Sequence, residues 1–125
     1  MRAVSEKISE AELVVMEALW EASPQTASDV ADRVTATRDW SLQTVKTLLS
    51  RLMAKDVIAA DQDGRRFLYR PVIARDDYVA SETGRMVSRL FGGRVSPLVA
   101  QLASQDQLSA DDIAELEEIL KGLKS

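Results

Sequence analysis

The order of the helix-start and turn signals constrains the first half of this chain more than any other feature. Three residues with good N-cap side chains each stand directly before a stretch with apolar residues at helical spacing: Ser9, Thr26 and Ser41. Asp63-Gly64 then lies between two short strand-like runs, residues 57–60 and 66–70, as expected for a hairpin turn. Three helices followed by one hairpin is the element order of a winged helix-turn-helix. We therefore predict a mainly α protein with this domain over residues 1–74.

The first two predicted helices cover residues 10–22 and 27–36, and the third begins after Ser41. One side of the third helix is apolar and is formed by Val45, Leu48, Leu49 and Leu52. The opposite side carries uncharged polar or basic residues at helical spacing: Gln43, Lys46, Thr47, Ser50 and Arg51. Most polar stripes of this kind are solvated surface. This one has no acidic residue and precedes a hairpin tip with Arg65 and Arg66, which favours contact with phosphates and base edges.

The overall charge of −4 argues against general nucleic-acid binding, but the charges are unevenly distributed. Residues 40–75 carry seven basic and three acidic side chains. The flanking segments are acidic, with four basic and eight acidic residues over 1–39 and five and nine over 76–125. Because salt screens charges over roughly 8 Å, the central basic segment can meet phosphates despite its acidic neighbours.

The absence of two reactive residue types excludes several kinds of chemistry. The sequence contains neither cysteine nor histidine. Disulfides, the usual zinc and copper sites, and Ser-His-Asp or Cys-His catalysis are therefore excluded. We predict that the chain is not an enzyme.

The remaining candidate ligand sites have ordinary structural explanations. Asp76-Asp77 and Asp111-Asp112 lie in predicted first helical turns, where carboxylates suit the helix dipole, so we expect no metal. Gly92-Gly93 matches no nucleotide-binding motif, so we expect no cofactor. The start of the chain has no apolar core of signal-peptide length, and nowhere do about 18 apolar residues run together. We expect a cytoplasmic protein with no membrane insertion.

The last 50 or so residues, 75–125, predict three further helices. The first ends at Gly92-Gly93, the second starts with Ser96 as N-cap and Pro97 at its first position, and the third starts at Ser109. The last helix has a heptad-like stripe, here called the C-terminal seam, formed by Ile113, Leu116, Leu120 and Leu123. The seam packs either back on the N-terminal domain or on a second copy, and we favour a two-fold homodimer. The predicted dimerisation residues are Leu90, Phe91, Leu98, Leu102, Ile113, Leu116, Leu120 and Leu123.

One stretch is recognisable. Residues 40–55, WSLQTVKTLLSRLMAK, strongly resemble the recognition-helix signature of the penicillinase-repressor family, also called BlaI/MecI/CopY. Residues 10–20, 64–71 and 106–113 support the same resemblance, which extends over nearly the whole chain. The resemblance implies a homodimeric transcriptional repressor whose winged helices bind a dyad operator and whose C-terminal helices intertwine. It also implies that a signal inactivates the protein to restore transcription.

On this resemblance, the third helix contacts the major groove or its phosphates, and the hairpin contacts the neighbouring backbone. The predicted DNA-binding residues are Ser41, Gln43, Thr44, Lys46, Thr47, Arg51, Lys55, Arg65 and Arg66. A competing interpretation, which the acidic overall charge suits, is a winged-helix protein-interaction module in a larger complex.

Three departures from the family pattern concern induction and the end of the third helix. Copper-responsive members use a C-terminal cysteine cluster, which this chain lacks. Members relieved by a membrane sensor protease are cut at an Asn-Phe bond before the last helix, and this chain has no asparagine. If such a protease acts here, we expect cleavage near Gln101-Leu102. Asp56 stands where the family often has glycine, after the lysine that ends the recognition helix.

Overall fold

The computed structural model describes residues 7–124. Its elements are, in chain order, α1 Glu10–Glu21, α2 Ala27–Val34, α3 Leu42–Ala54, β1 Ile58–Asp63, β2 Arg66–Pro71, α4 Arg75–Phe91, α5 Ser96–Ser104 and α6 Ala110–Lys124. The backbone divides into two units, one ending at Ser81 and one beginning at Glu82, whereas the predicted boundary after residue 74 falls at the start of α4. The first six residues of the predicted 1–74 domain, and Ser125 of the predicted C-terminal region, lie outside the described residues.

The N-terminal helices begin where their caps predict. Ser9 Oγ accepts the Glu12 N–H at 3.1 Å, while the Ser9 N–H donates to the Glu12 carboxylate at 2.8 Å. Thr26 and Asp29 form the same reciprocal pair before α2, with distances of 3.1 and 3.2 Å. A capping box satisfies two backbone donors that a helix leaves unpaired at its start.

The end of α2 comes earlier than the sequence predicts. The helix ends at Val34 and not at residue 36. Thr35 Oγ1 donates to the Asp32 carbonyl at 3.0 Å, and Thr37 Oγ1 donates to the Val34 carbonyl at 3.3 Å. Threonine hydroxyls that bond nearby carbonyls compete with the helical pattern, and here they accompany its termination.

The hairpin is longer and its turn tighter than predicted. β1 and β2 pair antiparallel up to Asp63 opposite Arg66, so the turn consists of Gly64 and Arg65. Gly64 has a φ of 65°, and a glycine at the first central position is typical of a type II′ hairpin turn. Asp61, predicted as part of the connection, instead lies in β1, where its carboxylate is 2.9 Å from Arg70 Nε. The ion pair and the ladder extend the strands beyond their apolar residues.

A small core joins these elements. Among its fully buried side chains are Met16, Leu19, Val30, Leu49 and Leu52, which come from α1, α2 and α3. Gln25, just before α2, forms two backbone hydrogen bonds with Tyr69 of β2, at 3.0 and 2.7 Å. This short bridge attaches the hairpin to the segment that precedes α2.

The start of α4 belongs to the same unit and is anchored to α1. Trp20 Nε1 donates to the Ile73 carbonyl at 2.9 Å, and the Trp20 and Tyr78 rings have centroids 5.7 Å apart. Arg75 Nε lies 2.7 Å from a Glu17 carboxylate oxygen. The first turn of α4 is therefore held on α1 by aromatic packing and by the Arg75–Glu17 pair, and α1 also bonds the connection after β2 through Trp20.

The second unit contains the rest of α4, α5 and α6. Gly92 and Gly93 follow α4 with φ values of 58° and 83°, which confirms the predicted glycine end. The predicted N-cap at Ser96 is wrong: Ser96 is the first residue of α5, Val95 precedes it in an α conformation, and no side chain caps the helix. The Val99 N–H bonds the Val95 carbonyl at 3.2 Å, so the helical pattern starts one residue earlier than the sequence indicates.

Within residues 7–124, no helix is both long and apolar enough to cross a membrane.

Candidate nucleic-acid interface

The outer face of α3 is arranged as its sequence pattern predicts. Its apolar residues are buried: Val45, Leu48, Leu49 and Leu52. Its polar residues are exposed: Gln43, Lys46, Thr47, Ser50 and Arg51. The first turn of α3 has no acidic residue, unlike the first turns of α1 and α2. The positive end of the α3 dipole is therefore available to an anion such as a phosphate.

Ser41 and Thr44 fix the beginning of α3. Ser41 Oγ accepts the Thr44 N–H at 3.1 Å and lies 3.1 Å from Thr44 Oγ1. One turn later, Thr47 Oγ1 donates to the Gln43 carbonyl at 3.0 Å. These three hydroxyl groups are on the exposed side, so they hold the backbone of α3 and still face solvent.

A shallow groove lies between α3, the hairpin and the start of α2. Among the residues that line it are Lys46, Arg65 and Arg66, which bring three cationic side chains to one place. Thr26, Ser28, Phe67 and Tyr69 also line it. This second set could not be predicted from the sequence, because only the backbone bridge between Gln25 and Tyr69 brings the start of α2 beside the hairpin. Phe67 was visible as an aromatic residue next to two arginines, and it is 49% exposed.

Several cations of this surface have no anionic partner among the residues that the structure describes. Within residues 7–124, no ion pair engages Lys46, Arg51 or Arg65. Arg66 pairs with Asp63 of the same hairpin at 3.0 Å, and both side chains are more than half exposed. Exposed pairs of this kind contribute little to stability, so Arg66 can exchange its partner for a phosphate at small cost.

Lys55, one of the predicted DNA-binding residues, is bonded to α1 and to the residue before Ile8 in this structure. Its Nζ lies 2.6 Å from Glu12 Oε1 and donates to the Lys7 carbonyl at 2.7 Å. The Glu12 side chain is 2% exposed and that of Lys55 is 22% exposed. Burial by itself raises the pKa of Glu12, but the hydrogen bonds from Lys55 and Ser9 outweigh burial and hold this pKa below its usual value. The Lys55 ammonium is thus bonded to α1, unlike the unpaired Lys46 and Arg51 of the same helix in the described part of the chain.

The acidic pairs considered as metal ligands lie in first helical turns. Asp76-Asp77 are in the first turn of α4, and Asp111-Asp112 are in that of α6. Asp112 accepts the Ser109 N–H at 3.0 Å, and Ser109 Oγ accepts the Asp112 N–H at 3.0 Å, as in a capping box. In the described part of the chain, no three acidic, histidine or cysteine side chains form a group that could hold a metal ion.

Comparison with known proteins decides the family. The family model described as penicillinase repressor matches residues 8–122. The chain belongs to the penicillinase repressor family. It is accordingly a DNA-binding transcriptional repressor with a winged-helix domain, and it is not an enzyme, as the sequence predicts.

The relatives of this repressor are similar over most of its length. It is 34% identical over 119 residues to a penicillinase repressor of Bacillus licheniformis, covering 95% of this chain and 93% of the relative. It is 30% identical over 114 residues to the methicillin resistance regulatory protein MecI of Mammaliicoccus sciuri, covering 91% of this chain and 93% of the relative. Both relatives therefore include the C-terminal region as well as the winged helix.

One solved relative was studied with DNA. The solution structure of monomeric Bacillus licheniformis BlaI in complex with the blaP half-operator has a TM-score of 0.53 to this repressor and 36% sequence identity. The similarity covers 62% of this chain and 94% of that one.

Proposed function

We propose that this repressor acts in the cytoplasm as a homodimer that binds a two-fold symmetric operator, with α3 of each copy in a major groove. The observation that carries the proposal is the exposed, acid-free face of α3 beside a hairpin whose Arg65 has no ionic partner in residues 7–124. The structure of monomeric Bacillus licheniformis BlaI in complex with the blaP half-operator supports one winged helix for each half-site. Half-sites are expected about one helical turn apart or a multiple of it.

Within this surface, we propose a division between base contacts and phosphate contacts. Gln43, Thr47 and Arg51 project from the outer face of α3, and glutamine and arginine have the paired donors and acceptors that recognise adenine and guanine edges. Lys46, Arg65 and Arg66 line the groove beside α3 and bind the backbone. Ser41 and Thr44, at the start of α3, lie where the helix dipole favours a phosphate.

Selection from random DNA duplexes, with the wild-type chain and an Arg51→Ala variant, tests this proposal. We expect the wild-type chain to select a two-fold symmetric sequence. Arg51→Ala should weaken binding to it by about 1–3 kcal/mol and relax the base preference at one position of each half-site, because a bidentate contact is lost. Arg33→Ala is the matched control, since Arg33 is bonded to Glu21 at 3.2 Å and is not among the residues of the α3 groove. Failure to enrich any two-fold symmetric sequence would contradict the proposed binding of a dyad operator by a homodimer.

For the dimer, we propose that the apolar residues of the second unit form the contact between copies. None of the residues of α5 or α6 that the structure describes is buried. Leu90, Ile113, Leu120 and Leu123 are 59%, 46%, 56% and 78% exposed. Phe91, Leu98, Leu102 and Leu116 are half-buried. A row of exposed leucine and isoleucine side chains on a short helix is stabilised when a second helix covers it.

For induction, we propose release through cleavage by a membrane sensor protease, in the region of Gln101-Leu102. Both residues lie inside α5, whose backbone must open before a protease can hold it extended. α5 has nine residues and no side-chain cap, so opening it requires little free energy.

Cells exposed to the inducer provide the test of this release mechanism. We expect a blot of induced cells to show a fragment that ends near Gln101, and Gln101→Glu, at an exposed position outside the proposed dimer contact, to change the cleavage rate without changing operator binding. An intact chain in induced cells whose repression has been lifted would contradict cleavage, and would indicate release by a ligand or a partner.

A further inference from the structure

The carboxylate of Glu12 joins the start of α1 to the C-terminal end of α3. Glu12 Oε1 accepts the Ser9 N–H at 2.8 Å and lies 2.6 Å from Lys55 Nζ. Lys55 is the C-cap residue of α3, and its ammonium also donates to the Lys7 carbonyl at 2.7 Å. The same oxygen that completes the capping box of α1 therefore also holds the end of α3.

The backbone around Lys55 keeps this ammonium in place. Asp56 has a φ of 60°, and its N–H bonds the Met53 carbonyl at 3.0 Å. The Val57 N–H bonds the Leu52 carbonyl at 3.3 Å. These two bonds form a Schellman motif, which ends α3 at a defined residue. Because Glu12 is buried, withdrawing Lys55 would leave a carboxylate with neither water nor a cation, so the pair stays closed.

We propose that Glu12 and Lys55 are positioning residues for DNA recognition, and that their ion pair fixes the C-terminal end of α3 on α1. This inference rests on the proposed reading role of α3. Arg51 lies one helical turn before Lys55, so the tilt of this last turn decides where the Arg51 guanidinium meets the DNA. Ser41 fixes the other end of the helix. A DNA-contacting helix that is fixed at both ends before binding loses less conformational freedom on binding than a helix that is fixed only at its start.

The expected effect of Glu12→Gln on sequence-specific DNA affinity is opposite in sign to the effect of its change in net charge alone. Glu12→Gln removes a negative charge from a DNA-binding protein, which by itself strengthens attraction to phosphates. If the pair positions α3, the same substitution weakens sequence-specific binding. Glu10→Gln is the matched control, because Glu10 lies in the same first turn of α1 and is exposed.

The experiment compares Glu12→Gln, Lys55→Met, the double variant and Glu10→Gln in the full chain. Dissociation constants are measured for the duplex selected by the wild-type chain and for a random duplex of equal length, over a range of salt concentrations. Measurements are made at a temperature where circular dichroism shows each variant folded. The double variant contains no unpaired buried charge and serves if either single variant fails to fold.

We expect each single variant to bind the selected duplex roughly 3- to 30-fold more weakly, and the double variant to be no weaker than the singles, since both residues act as one unit. The slope of log affinity against log salt should remain as in the wild-type chain, and Glu12→Gln should not weaken binding to the random duplex. Lys46→Met is the reference for a phosphate contact, and should reduce the slope of log affinity against log salt by about 0.9.

Two results would overturn the proposal. If Lys55→Met reduces the salt slope as Lys46→Met does and weakens both duplexes equally, Lys55 is a phosphate contact. If Glu12→Gln binds the selected duplex as Glu10→Gln does, the pair stabilises the fold without positioning α3. Failure of the reading role of α3 is seen separately, as an unchanged base preference of Arg51→Ala.

Discussion

Replacing Leu120 and Leu123 together by glutamate is expected to produce a monomer that binds a complete operator about 10²- to 10⁴-fold more weakly than the wild-type repressor. These side chains are 56% and 78% exposed in the isolated chain, so a second copy is the partner we propose for them. Two added carboxylates in an α6 that already carries Glu117 and Glu118 would repel the partner helix. The expected loss of affinity is large because, once one copy of a dimer is bound, the second copy meets its half-site at a high effective concentration.

Sedimentation and titration with two lengths of DNA measure this effect. Binding to a single half-operator should stay close to wild type, because the double substitution lies far along the chain from the reading helix. Ala114→Glu is a matched control: it adds a carboxylate to an exposed position of α6 on the side opposite the C-terminal seam. If the double variant remains dimeric, the seam is not the interface; if the wild-type chain is itself monomeric, the seam packs back on its own N-terminal domain.

Leu49→Ala should lower the free energy of unfolding by about 2–5 kcal/mol, the usual range for a leucine deleted from a packed core. Leu49 is fully buried in the middle of α3. Leu42→Ala at the start of the same helix, where the side chain is 40% exposed, should change stability by less than about 1 kcal/mol. Urea titration measures the free energy of unfolding of both variants. An unchanged slope of this free energy against urea concentration shows that each variant exposes the same surface on unfolding as the wild-type chain. Equal losses would mean that the inner and outer faces of α3 are wrongly assigned.

The N-terminal helices could be predicted because their signals are local. A capping box is a relation between residues three positions apart, so Ser9 with Glu12 and Thr26 with Asp29 are visible in the sequence itself. The two faces of α3 follow from its periodicity in the same way. Where a local signal was weak, as before α5, the predicted start shifted by one residue.

The parts that could not be predicted depend on contacts between distant residues. The spacing of Ser9 and Glu12 is that of a capping box, but nothing in the sequence indicates that the same carboxylate oxygen also binds a lysine 43 positions away. Lys55 therefore looked like one more cation of the DNA surface. The groove beside the hairpin was missed for the same reason, because it depends on the pairing of Gln25 with Tyr69. The dimer and the release mechanism involve a second molecule, so they remain predictions.

The bridge between Gln25 and Tyr69 has a consequence for how such repressors diversify. It is made by main-chain atoms, so its strength is largely independent of the side chains at the hairpin tip. Residues 64–66 can therefore be exchanged for those of another repressor while the hairpin keeps its place beside α2. With the contacts proposed above, the hairpin tip sets the overall affinity for DNA and α3 sets the choice of target sequence, so these two properties can be changed separately.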